Sequence, residues 1–208
     1  MTHSHQAGAF RRAADRLLEI PLVYRSWQAP FAAAKLRPFL ARVDLSGRPR
    51  VLDIGCGPGT NAAVFSGCDY VGIDINADYI RTAASRYSGR WLVGDVTDQS
   101  VLPDAQFDCV FANSLMHHLD DHSVHNLLSR MARLTAPGGR IHVLDLVLPP
   151  HLSAGRLLAR LDRGRFARPV EQWRAMLNEH LREEHFQPYP FGLPFMPLWQ
   201  MIYFVGAK

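Results

Sequence analysis

Three aspartates close apolar runs, and their company suggests what they could bind. Asp53 lies inside "VLDIGCGPGT", where glycines occupy positions 55, 57 and 59; Asp74 closes "YVGIDI"; Asp95 follows in "VGDVTD". Glycine allows a positive φ and the close approach of a ligand to the main chain, and carboxylates accept hydrogen bonds from hydroxyl and amino groups. A dinucleotide-binding turn, G-x-G-x-x-G, would require glycine at position 60, which holds Thr60. Asp53 would in any case repel a pyrophosphate at the start of the following helix. A nucleoside with hydroxyl-rich or cationic parts and no diphosphate suits the set better. Asp74 stands where a strand-end acid takes ribose hydroxyls, and Asp95, with the Val96 backbone beside it, could receive an adenine amino group. Each acid alone could equally cap a helix or sit in solvent; three on successive strand ends point to a ligand.

These residues need a scaffold that brings strand ends together. From Arg50 the chain alternates short β-branched runs, "RVLDIG", "YVGIDI", "RWLVGDV", "FDCVFANS" and "RIHVLDLVL", with helical spacing. That alternation predicts βαβ units and a parallel sheet. "APGGR" reads as a glycine stop after the amphipathic run "HNLLSRMARLT". Residues 9–45 carry helical spacing interrupted at Pro21 and Pro30, and 151–184 predict helix in two pieces divided near Pro169. "HFQPYPF" and "LWQMIYFVGAK", joined by "GLPFMP", read as an antiparallel pair of aromatic-rich strands. The expected organisation is one domain over 1–208: a helical cap at 9–45, a ligand-binding half at 46–148, and helices with a final β-hairpin at 149–208.

Composition narrows the class. The chain has 208 residues, 48% of them hydrophobic and 20% charged, which is the balance of a globular protein. No apolar run reaches the roughly 18 residues of a membrane span, and the start lacks an apolar leader core, so a soluble, cytoplasmic protein is expected. Cys56, Cys68 and Cys109 show no paired spacing, which fits a reducing compartment. His3 and His5 are near the terminus, His122 and His125 share a helix face, and His180 and His185 lie elsewhere; no carboxylate or cysteine completes a set, so no metal is expected. The net charge of +4 is carried almost wholly by arginine, Lys35 and Lys208 being the only lysines.

Taken together, "VLDIGCGPGT", "GIDIN", "GDVTD", "FDCVFANSLMHHLDD" and "LTAPGGRIHVLDLVL" resemble a class I S-adenosylmethionine-dependent methyltransferase of the broad group acting on small molecules. The resemblance covers about residues 45–148 by motif and the rest by layout. It implies a Rossmann-like α/β fold, a mostly parallel seven-stranded sheet with an antiparallel last strand and helices on both faces. It further implies S-adenosylmethionine as cofactor, S-adenosylhomocysteine as product, and cofactor contacts at Asp53, Gly55, Cys56, Gly57, Asp74, Ile75, Asp95, Val96 and Asn113. The methionine part would run along Gly55 to Gly57, with the sulfonium facing the end of the fourth strand.

His117 and His118 would then stand next to the transferring methyl. Either could act as acid or base, position a substrate, or be structural. Successive helical residues point about 100° apart, so one is expected to face the pocket and the other to pack or meet solvent. Asp120 and Asp121 read as a helix cap. Tyr24, Trp27 and Phe31 could roof a pocket or pack on the sheet. Arg156, Arg160, Arg163, Arg165 and Arg168 could bind an anionic acceptor or form a solvated face.

The expected acceptor is a small organic molecule, aromatic or anionic, methylated at O, C or N by a monomer or homodimer. An RNA-modifying enzyme is one rival; the modest charge and the lack of an appended RNA-binding module count against it. A non-catalytic sensor or partner subunit that only binds the cofactor is a second rival, and a dinucleotide oxidoreductase, disfavoured by Thr60 and by the second and third acids, is the third.

Overall fold

The computed structural model describes residues 34–103, 106–149, 166–193 and 196–208. Its sheet has seven strands: β1 (Arg50–Ile54), β2 (Asp69–Asp74), β3 (Arg90–Val93), β4 (Phe107–Asn113), β5 (Thr135–Leu146), β6 (Arg182–Leu193) and β7 (Met196–Ala207). Their spatial order is β3-β2-β1-β4-β5-β7-β6. Pairs from β3 through β5 are parallel, whereas β7 runs antiparallel to both β5 and β6. The last strand is therefore the reversed one, as the resemblance implied.

Side chains alternate across this sheet into two apolar layers. Leu52, Ile73, Val110, Val143 and Phe204 face one side, where helices α2 (Asp121–Leu134) and α3 (Val170–Asn178) add Leu127, Leu128, Met131, Trp173 and Leu177. Val51, Tyr70, Phe111, Leu144 and Tyr203 face the other. There a helical segment, residues 34–40, brings in Leu36 and the fully buried Phe39, whose ring packs on Phe65, Phe111 and His142. Helix α1 (Ala77–Ala84) follows β2, its first turn capped by Asn76, whose side chain accepts from the Asp78 and Tyr79 amides.

Two expectations are corrected. The run "HNLLSRMARLT" does not end on glycine: Thr135 is the cap, extended at φ −81°, with Oγ1 donating to Met131 O. Gly138, at φ +83°, lies within β5 where its register against β4 shifts between Phe107 and Cys109. The neighbouring Gly139 has a separate reason, since a Cβ there would come 2.8 Å from Phe107 O. The predicted helix to residue 184 stops at Asn178, and β6 already begins at Arg182. Pro169 is the N-cap of α3, the second of the two expected pieces. The expected helical cap before residue 34, with Tyr24, Trp27 and Phe31, and the segment 150–165, with Arg156, Arg160, Arg163 and Arg165, lie outside the described residues. Among the described residues no helix is long and apolar enough to cross a membrane.

Candidate functional site

Strands β1 and β4 are neighbours, yet the chain leaves their carboxyl ends toward opposite halves of the sheet. Such a switch point opens a crevice, and open α/β sheets bind ligands there. Its two lips are the glycine turn after β1 and the turn carrying the histidines after β4.

On the first lip Gly55, Gly57 and Gly59 have φ of +68°, +54° and +78°. Any other residue would be strained there. The turn is tied to the end of β2: the Gly55 and Cys56 amides donate to Ile73 O at 2.8 and 3.2 Å, and the Gly57 amide donates to Asp74 Oδ2 at 2.9 Å. Asp74 Oδ1 takes the Asn76 amide at 2.8 Å. Burial pushes the Asp74 carboxyl up from its ordinary range, against the pull of these two amides. Each oxygen still has a lone pair for a further donor.

Asp53 is buried. Tyr70 donates its hydroxyl to Oδ2 at 2.8 Å, while Oδ1 has no hydrogen-bond partner. Burial pushes this carboxyl up to about 7, with Tyr70 opposing. A buried acceptor without a donor costs free energy unless a ligand supplies one. Cys56 is buried beside it, its thiol driven far up by burial, so it offers the site its backbone and not a nucleophile. Ile75, just past Asp74, is 78% exposed, the most exposed large apolar side chain in the described residues. Asp95 is exposed, and its Oδ1 accepts from both the Thr97 amide and hydroxyl at 2.8 Å. Val96 is buried, and its carbonyl accepts from Arg130 Nε at 3.1 Å; Arg130 also donates to Leu102 O.

On the second lip the half-buried Asn113 is followed by Ser114, which holds a left-handed φ of +54° with its amide on Leu144 O at 2.8 Å. A non-glycine residue in that conformation costs about 1 kcal/mol or more, so its surroundings must impose it. A 3-10 turn, Met116–His118, comes next. His117 is buried, with Nδ1 2.5 Å from Asp145 Oδ1 at the end of β5. Asp145 also accepts the Met116 amide on Oδ2 and the Leu146 amide on Oδ1, both at 2.7 Å. Burial alone would raise Asp145, but His117 and the two amides outweigh it and hold the carboxyl below its ordinary range. With Nδ1–H donated to a carboxylate, the basic nitrogen of His117 is Nε2. His118 is exposed, its ring centroid 4.2 Å from that of His117. The pair thus divides into one buried and one exposed ring, and Asp120 caps α2 by accepting the Ser123 amide at 2.8 Å.

Arg168 departs from the expectation of an anion-binding or solvated arginine face. It is 3% exposed and donates to Met116 O, Phe166 O and Leu119 O at 3.2, 2.9 and 2.8 Å, and to Asp121 Oδ1 at 2.8 Å. Its guanidinium lies over the Trp173 ring. Only a five-donor fork can satisfy so many acceptors at once, and it braces the histidine turn. Asp145 was not singled out as a site residue by sequence reasoning, and Arg168 was weighed only for binding an anionic acceptor or as part of a solvated face. A signal for Asp145 existed: it interrupts "HVLDLVL" much as Asp53 interrupts "VLDIG".

Residues 51–139 match a family model described as a methyltransferase domain. An uncharacterized methyltransferase of Mycobacterium tuberculosis is 39% identical over 108 residues, 50% of this chain and 53% of that protein. An O-methyltransferase of Aspergillus sclerotiorum is 32% identical over 160 residues, 73% of this chain and 60% of that one. A trans-aconitate 2-methyltransferase of Azoarcus is 35% identical over 118 residues, 54% of this chain and 44% of that one. The match thus spans about half the length of these relatives. Among solved structures, human N-acetylserotonin methyltransferase in complex with S-adenosylmethionine shares the fold at a TM-score of 0.66 and 21% identity, over 90% of this chain and 54% of that one. A Pyrococcus horikoshii protein does so at 0.67 and 20%, over 89% and 91%. Residues 51–139 are thus similar to a methyltransferase domain, and the sheet order above belongs to the fold these solved structures share.

Proposed function

We propose that the chain transfers the sulfonium methyl of S-adenosylmethionine to an oxygen, carbon or nitrogen of a small organic acceptor. The observation that carries this reading is the glycine turn pinned to Asp74 beside Asp53, whose buried Oδ1 lacks a donor. These residues fit an adenosyl ligand bearing hydroxyl and ammonium donors, and they offer no cation for a phosphate. When bound, S-adenosylmethionine supplies an already activated methyl group and leaves as S-adenosylhomocysteine.

The protein's own tasks are binding, alignment and proton removal. Gly55 to Gly57 admit the ligand to the backbone; Asp74 takes ribose hydroxyls, Ile75 covers the adenine, and the Asp95–Val96 loop reads its amino edge. Asp53 receives a donor from the amino-acid end, and Asn113 borders the sulfonium. His117, oriented by Asp145, takes the acceptor proton on Nε2. That role separates acceptor classes. A carboxylate is already ionised and requires no base, whereas a hydroxyl or amine must lose a proton, and a general base contributes about a hundredfold or more. The buried His117–Asp145 pair therefore favours a hydroxyl or amine acceptor. The names of the Aspergillus and Azoarcus relatives allow both an O-methyl and an acidic class, and screening begins with hydroxylated aromatic acids, which carry both groups.

The first test is calorimetric titration with S-adenosylmethionine, S-adenosylhomocysteine and NAD. Saturable binding of the two sulfur nucleosides alone is expected, weakened by about 1 to 3 kcal/mol in Asp74→Ala through loss of charge-assisted hydrogen bonds. Binding of NAD, or unchanged affinity in Asp74→Ala, would reject the nucleoside placement.

A further inference from the structure

A second group of ligating side chains is assembled outside the crevice. His125 on α2 faces Glu179 and His180, which follow α3, although more than 50 residues separate the two segments. His125 Nδ1 lies 2.8 Å from His180 Nε2 and 3.6 Å from Glu179 Oε2. The three ligand atoms are all within 4.8 Å of one another. Neither the expectation of no metal nor the methyltransferase reading used this cluster, because the sequence gives no sign that the two segments meet.

We propose that His125, His180 and Glu179 form a binding site for a divalent transition-metal cation of the zinc type. Two imidazoles and a carboxylate are a recurring donor set for zinc, with water completing the shell. At metal–ligand distances near 2.0 to 2.1 Å, tetrahedral geometry sets ligand atoms about 3.3 Å apart. The 2.8 and 3.6 Å separations from His125 Nδ1 bracket that edge, and no two of the ligand atoms are more than 4.8 Å apart. A further contact prepares one ligand: His180 Nδ1 is 3.1 Å from Ser129 Oγ. A hydroxyl accepting the Nδ1–H fixes the tautomer that presents the Nε2 lone pair to the cation, the usual outer support of a metal-bound histidine. The two histidines are half-buried and Glu179 is exposed, leaving an open approach for the hydrated ion.

Such a cation would tie α2 to the end of α3. These helices also frame the buried Arg168, through Asp121 at the start of α2 and Trp173 on α3. Binding to the folded state alone raises stability in proportion to the logarithm of free metal over its dissociation constant.

The test uses the full chain after dialysis against a chelator, titrated with zinc chloride by calorimetry and with cobalt(II) by visible absorption. One equivalent of zinc is expected to bind, with a rise in thermal midpoint and a four-coordinate cobalt spectrum. His125→Gln and His180→Gln should each weaken zinc at least about tenfold, and the exposed Glu179→Gln, which leaves the helices packed, by a smaller factor. A His3→Gln, His5→Gln double variant should retain full affinity. Absence of saturable binding, or binding that survives His125→Gln and His180→Gln, would overturn the site. Neither result depends on methyl transfer.

Discussion

Asp53 and Asp145 are both buried carboxylates that interrupt apolar strands, one on each lip of the crevice, and their surroundings drive them in opposite directions. Asp53 receives a single hydroxyl and is pushed up to about 7. Asp145 receives His117 and two amides and is held below its ordinary range. Burial raises both; at Asp145 the charge and hydrogen bond of His117 together with two amides overcome it, while at Asp53 a single hydroxyl does not and the Asp74 charge adds to the rise. The Asp145 lip is complete in itself, while the Asp53 lip still has an acceptor to fill.

The lips also differ in how far along the chain their bonds reach. Gly57 and Asp74 are 17 residues apart and Thr97 and Asp95 only two. His117 and Asp145 are 28 apart, and Arg168 reaches Leu119 and Met116 across 49 and 52. Breaking a long bond of the second lip should therefore have the largest effect. Arg168→Ala leaves three carbonyls and the Asp121 carboxylate without their donor and is expected to lower stability by about 3 kcal/mol, at about 1 kcal/mol per carbonyl. Asp95→Asn on the first lip, at an exposed turn, should cost under about 1 kcal/mol. Urea unfolding of the two variants measures the contrast, and similar losses would mean that the histidine turn does not depend on its brace.

The next effect is on catalysis. His117→Ala should lower kcat about a hundredfold, with cofactor affinity nearly unchanged, while His118→Ala stays within a few-fold of the parent. Asp145→Asn keeps the size of the side chain but removes the charge that orients His117, so its loss should approach that of His117→Ala. Steady-state kinetics with a hydroxyl acceptor decides this. Full activity in His117→Ala would remove the base and leave alignment alone to account for transfer.

This difference in reach also explains what could be read from sequence. The glycine turn, Asp74 and the strand series were legible because each depends on neighbours a few residues away and on the period of the sheet. The final antiparallel pair was legible from "GLPFMP" between two aromatic runs, while the reversed place of β7 in the sheet came from the resemblance. That His117 is the buried ring was not, since helical spacing shows that two histidines diverge without showing which one meets Asp145. Arg168 was misread for the same reason: charge in sequence looks solvated until the carbonyls that surround it are known. His125 and His180 looked unrelated because only the packing of α2 beside the end of α3 joins them.

The smallest effect is also the most specific to the incomplete lip. Because the folded state raises the Asp53 carboxyl from 3.8 to about 7, it holds a proton that the unfolded chain has released. Stability from this group is then greatest at low pH and declines as pH rises from about 4 to 7, the reverse of Asp145, whose contribution is lost on acidification. Asp53→Asn should therefore match the parent near pH 4 and exceed it in thermal midpoint at pH 8. Cofactor binding should show the complement. A cationic donor at Oδ1 is favoured once Asp53 ionises, so affinity for S-adenosylhomocysteine should rise about tenfold between pH 6 and 8 in the parent and lose the Asp53-dependent part of that rise in Asp53→Asn. Were the asparagine variant less stable at pH 8, the carboxylate would have to be ionised and paired within the protein. The unpartnered oxygen would then cease to be an argument for the ligand, and the two lips would be alike.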